Sequence, residues 1–110
     1  MPTADFLVDH IEPDGLVIGR NGYTDVPLGT VFTAIGKSRV DADDPNLLAV
    51  PLGKIAVVRL QLTEVHFFRR LIDAIPRGHS AGLRLDGEGS DKLAAALDGK
   101  LEREFVHLLA

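Results

Sequence analysis

Phe6, Val8 and His10 fall on one face of a short alternating run, with Leu7, Asp9 and Ile11 on the other. That two-residue period is the mark of a strand. Pro13-Asp14-Gly15 supplies turn chemistry, because proline fixes φ and glycine accepts φ > 0. Leu16 to Gly19 is a second apolar run of strand length, and Asn21-Gly22 is a dipeptide suited to a tight reversal. The stretch 26–33 (VPLGTVFT) is a glycine turn feeding a β-rich run. Residues 40–46 (VDADDPN) form a polar loop, and Leu47 to Val50 a strand ended by Pro51 and Gly53. From Ile55 to Val65 the alternation is clean. Ala56, Val58, Leu60 and Leu62 share one face, Arg59, Gln61 and Thr63 the other, as in a strand buried on one side.

Two stretches are ambiguous. Val65, Phe68, Ile72 and Ile75 recur at helical intervals, yet Pro76 follows too closely for a stable helix. Ala81 to Leu85 returns to strand, with Leu83 and Leu85 inward and Arg84 outward. Ser90 is placed to cap a helix over 90–98, and Gly99 to end it. Leu93, Leu97, Leu101, Phe105 and Leu108 keep helical spacing across Gly99, which costs a helix only about 1 kcal/mol. A strand over 104–109 is the alternative, and the tail stays open.

The residues that say most are Thr63 to Gly87, TEVHFFRRLIDAIPRGHSAGLRLDG. Val65, Phe68, Arg69, Arg70, Leu71, Ile72, Asp73, Gly78, Gly82, Leu83, Leu85 and Gly87 follow, without a gap, a pattern of strand, aromatic, two basic residues, apolar turn, Asp, Gly-rich corner and short strand. In this the chain resembles the second domain of elongation factor Tu and related translational GTPases. Val17-Ile18-Gly19-Arg20 and Val26-x-Leu28-Gly29 followed by Val31, anchored on Gly29, extend the likeness over roughly residues 14 to 101. The resemblance implies that residues 64 to 75 continue a strand to the aromatic and then turn tightly through the Leu71-Ile72-Asp73 stretch. It also implies an all-β fold: a small antiparallel barrel of the translation-factor domain 2 type, closed or nearly so. To this the capping pattern adds a short C-terminal helix. At 110 residues the chain has room for one such domain, 1–110.

In the family, this domain holds the terminal adenosine and amino acid of aminoacyl-tRNA. The resemblance puts His66 where the family has a ribose-binding Glu, Ser80 where it has Asn, and His79 where it has the preceding Glu. The residues shared with the family are those a barrel needs to fold, and the ligand-reading ones differ. Imidazole can donate where a carboxylate can only accept. The pattern suggests a scaffold kept and a ligand lost or exchanged, with His66 and Ser80 as a candidate small-ligand pocket.

Charge and chemistry narrow the function. The net charge is −4, which argues against broad nucleic-acid affinity. Lys54 to Arg84 nonetheless carries six basic residues against two acids. Arg59, Arg69, Arg70 and Arg84 around His66 could therefore meet one small anionic group, such as an RNA end or aminoacyl-tRNA. The Walker pattern Gly-x-x-x-x-Gly-Lys-Ser/Thr is missing, so GTP hydrolysis by the family's mechanism is not expected. His10, His66, His79 and His107 show no local metal spacing. Asp41, Asp43 and Asp44 lack the Gly and closing Glu of a calcium loop. Ser38, Ser80 and Ser90 sit in no nucleophile elbow, and adjacent His79 and Ser80 aim apart.

The reading is a binding or assembly module without catalysis, metal, cofactor or GTP. It works through protein contacts, with homodimerisation as one form, and tRNA or RNA-end binding is the alternative. No run approaches the roughly 18 apolar residues of a membrane helix. Acids occupy the first ten residues where a secretory leader is basic, and there is no Cys. A cytoplasmic protein without membrane contact is expected.

Overall fold

The longer strands meet edge to edge in a ring. The computed structural model describes residues 4–22, 24–40 and 49–110. In chain order these give β1 (Asp5–Ile11), β2 (Val17–Asn21), β3 (Val26–Pro27), β4 (Val31–Val40) and β5 (Ala49–Phe67). Then come β6 (Arg70–Ile72), β7 (Ala74–Ile75), β8 (Ser80–Glu88), α1 (Ser90–Asp98) and β9 (Glu104–Leu109). The sheet order β4-β9-β1-β2-β8-β5-β6, with β4 also paired to β5, closes six strands on themselves. Every pairing is antiparallel. β6 is an appendage on β5, and β3 and β7 form a separate two-stranded ladder. Ring closure leaves few edges open, which is how small all-β domains avoid edge-to-edge aggregation.

Inward positions fill the barrel. Phe6, Phe32, Ile35, Leu60, Leu62, Val65, Leu83, Val106 and Leu108 are all at most 1% exposed. Leu93 of α1 joins them, and Leu85 packs against the same cluster. Gly19 permits a close approach in the wall, because a Cβ there would overlap the Leu7 carbonyl oxygen and the Phe6 ring.

Several expectations need correction. Asn21-Gly22 does not reverse the chain. Asn21 ends β2 inside the protein, and its Nδ2 donates to the carbonyls of Thr24, Ile75 and Pro76 at 2.7, 2.9 and 3.2 Å. Nor does His10 share the inward face with Phe6 and Val8. The β1–β2 register shifts between Val8 and His10, and the imidazole turns out to the Asp9 and Glu12 carboxylates. Those two acceptors, Asp9 first, raise its pKa above the usual histidine value.

Pro51 and Gly53 do not end a strand, since β5 runs through both. β4 pairs with β5 as far as Gln61, whereas β8 joins only from Arg59. The two partners overlap at Leu60 and Gln61, so they hold opposite edges, and residues 49–58 have one edge unpaired among the described strands. Proline is compatible with such an edge. Val50, Leu52, Ile55 and Val57 are exposed along it.

Residues 64–75 hold no helix. The strand continues, as the resemblance implied, but only to Phe67; the tight turn falls at Phe68-Arg69 rather than through Leu71-Ile72-Asp73, and Arg70–Ile72 returns as β6. α1 spans 90–98 as expected, but Ser90 does not cap it. Gly89 takes the cap position in a left-handed conformation, without a side-chain hydrogen bond, and Gly99 ends the helix by donating to the Ala95 carbonyl. The open tail resolves as β9, because Glu104–Leu109 is needed between β4 and β1 to close the ring. Val40 belongs to β4, and the rest of the acidic stretch, Asp41 to Asn46, lies outside the described residues together with Leu47 and Leu48.

Candidate functional site

The β5–β6 hairpin brings an aromatic and a basic residue to its apex. Phe67 pairs with Arg70, so only Phe68 and Arg69 connect the strands. Both have positive φ, 50° and 64°. A two-residue loop with both centres left-handed is the type I′ turn, for which Asn-Gly is the favoured pair. Side chains with a Cβ cost about 1–2 kcal/mol each in that conformation. Phe68 also presents 82% of its surface to solvent, and Leu71 64%. The apex is therefore strained and apolar at once, and neither property helps the hairpin to fold.

A fixed corner faces it. Asn21 accepts nothing at its Oδ1 among the described residues, but its amide clamps three carbonyls, two of them in the 75–76 segment. The Asn21 N–H donates to the His79 carbonyl at 2.9 Å, Gly78 N–H to Gly22 at 3.1 Å, and Arg77 N–H to Asp25 Oδ1 at 2.8 Å. These bonds set the corner that delivers His79 and Ser80 to the start of β8. The His79 ring meets Phe67 edge-on, centroids 5.6 Å apart, and Phe67 meets Phe68 at 4.5 Å. Arg20, Phe67, Phe68, Gly78, His79 and Ser80 line an open cleft of about 360 Å³ between apex and corner.

Of the residues singled out in the sequence, His79 and Ser80 sit in this cleft and Arg69 at its apex. His66 does not line it. It alternates with Phe67, so it turns to the other side of β5, where its Nε2 donates to Glu64 Oε1 at 3.0 Å. Arg59 pairs with Glu88 nine residues before Phe68, about 30 Å from the apex along the strand. Arg84 is held by Asp14, donating to its carboxylate at 2.7 Å and its carbonyl at 2.9 Å. That guanidinium keeps the Asp14 carboxyl below the usual range, helped by the Leu16 N–H. Arg59 and Arg84 thus stand apart from this cleft, and His66 does not line it with His79 and Ser80.

Sequence reasoning gave Arg20 and Phe67 no role in the site, and Phe68 only one in the family pattern. The signal for Phe68 was a bulky aromatic at a hairpin position that prefers Asn. A second arrangement escaped it altogether. The Ser38 hydroxyl lies 2.7 Å from His107 Nε2, and His107 Nδ1 lies 2.7 Å from Asp5 Oδ1. Among the described residues, no three His, Asp or Glu side chains gather as a metal site, and no helix is long and apolar enough to cross a membrane. No protein-family model, curated protein or solved structure matches this chain.

Proposed function

We propose that the chain is a binding or assembly module that acts through protein contacts made at the β5–β6 hairpin apex. The observation that carries this reading is Phe68, held left-handed and 82% exposed beside exposed Leu71. Strain at a solvent-facing aromatic is explained by a partner that buries the ring. Aromatic and arginine side chains are also the commonest anchors of protein interfaces. Arg69 and Arg70 would surround that anchor with charge. A second copy of the chain is one such partner. The unpaired edge of β5 at 49–58, with its exposed aliphatic side chains, offers a second surface for assembly.

The resemblance to the second domain of translational GTPases belongs to the same reading. The tight strand-turn-strand at 64–72 and the closed ring support it, and the lost family carboxylates favour an exchanged partner. The cytoplasm is the compartment this reading gives the protein.

Affinity capture from native lysate, comparing the natural chain with Phe68→Asp, tests the proposal. Partners retained by the first and lost by the second are expected, and identical sets would refute it. Sedimentation over a concentration range tests the homodimer separately.

One observation favours RNA-end binding as a second reading: an exposed aromatic near Arg20, Arg69 and Arg70 can stack a base. This reading expects tRNA affinity that falls steeply with salt. Absence of binding at low ionic strength would end it.

A further inference from the structure

On the outer wall, far from the hairpin apex in the chain, three adjacent strands each contribute one member of a hydrogen-bonded chain. β9 lies between β4 and β1, with His107 opposite Gly36 on one side and Leu7 on the other. Ser38 lies two residues beyond Gly36 and Asp5 two residues before Leu7, so both share the face of His107 and sit diagonally to it. Gly36 has no side chain to cover the ring between them. Ser38, His107 and Asp5 also line one cavity of about 420 Å³ with Gly36, Lys54 and Leu109.

The order of atoms matters. A carboxylate can only accept, so Nδ1 of His107 carries the proton that goes to Asp5. Nε2 is then the lone-pair nitrogen that accepts from the Ser38 hydroxyl. Both contacts are 2.7 Å. This is the arrangement in which imidazole serves as general base to a serine and a carboxylate fixes its tautomer. The His107 side chain is only 18% exposed, and Ser38 only 7%, so the cavity is the route to the hydroxyl. Lys37 pairs with Glu104 at 3.1 Å, whereas Lys54 has no ion-pair partner among the described residues. Its ammonium is a cation available to an oxyanion formed in the cavity.

We propose that Ser38, His107 and Asp5 form a nucleophilic site that transfers acyl groups from small esters. Ser38 Oγ bonds to the ester carbonyl carbon while its proton passes to His107 Nε2. Collapse of the adduct breaks the carbon–oxygen bond to the leaving alcohol, which takes that proton. Water attacks the resulting acyl-serine through the same base, releases the acid and restores the hydroxyl. This goes beyond the protein-contact reading and uses none of its residues.

The test is an alkyl fluorophosphonate added to the intact protein, followed by peptide mass mapping. Attack by Ser38 forms an oxygen–phosphorus bond and expels fluoride. The expected result is an adduct on Ser38, absent in Ser38→Ala and formed about a hundredfold or more slowly in His107→Gln. Asp5→Asn, which keeps the shape of the side chain, should also slow it and guards against a His107 variant that fails to fold. Hydrolysis of p-nitrophenyl acetate should fall in parallel. An unlabelled Ser38 in the folded natural protein, or equal ester hydrolysis by Ser38→Ala, would overturn the proposal and leave the chain as a bond network tying three strands.

Discussion

The two sides of the cleft are built on opposite terms. At the corner of residues 76–79 the backbone is fixed by donors from Asn21, Gly78 and Arg77. At the apex, Phe68 and Arg69 adopt a conformation their side chains disfavour, with the aromatic ring in water. One side is over-determined by hydrogen bonds, and the other holds strain that only the edge-on contact of Phe68 with Phe67 offsets among the described residues. A binding site needs both, a rigid reference surface and an anchor whose favourable contacts come from outside.

The contrast can be broken from either side. Asn21→Ala removes the donor to three carbonyls at once. Losing the bonds to buried groups should cost about 1–3 kcal/mol, read as a fall in the denaturation midpoint. The apex should respond with the opposite sign. Replacing Phe68 by Asn and Arg69 by Gly gives the turn its preferred pair, and relief of the left-handed strain at both positions, less the Phe67–Phe68 ring contact given up, should stabilise the fold by about 1–2 kcal/mol. A smaller loss, about 0.5–1.5 kcal/mol, is expected for Asp25→Ala, which frees only the Arg77 N–H. If Asn21→Ala were neutral, or the apex replacement destabilising, the two sides would not differ as described.

The smallest effect lies outside the cleft and serves as its control. The Leu101 N–H and then Lys37 hold the Glu104 carboxyl below its usual range. A lowered folded-state pKa contributes stability above the ordinary glutamate range, and that contribution is lost as pH falls through the lowered value. Glu104→Gln should flatten the acid limb of the stability profile and leave partner binding at the apex unchanged. An unaltered acid limb would remove Glu104 from the account.

How far the sequence revealed this molecule depends on the distance over which each contact acts. The alternation at Val58, Leu60 and Leu62 and the helix at 90–98 are local, and both were legible. A strand and tight turn in place of a helix were legible through order and spacing, but the turn falls at Phe68-Arg69, earlier than the pattern placed it. Pro51 and Gly53 were misread as an end because their tolerance rests on which edge of β5 is paired. Asn21 is bonded to residues 54 and 55 positions away, and Ser38 and Asp5 meet His107 across 69 and 102 positions. Only closure of the ring brings such residues together, so no motif could announce them. The candidate residues scattered for the same reason. His66 and Phe67 are neighbours in sequence, yet alternation sends them to opposite sides of one strand.

The most direct measurement pairs the stability of the Phe68→Asn, Arg69→Gly double variant with its capture of partners from native lysate. The account predicts a raised midpoint of unfolding together with loss of the proteins that the natural chain retains. An unchanged or lowered midpoint with the same proteins still captured would contradict it.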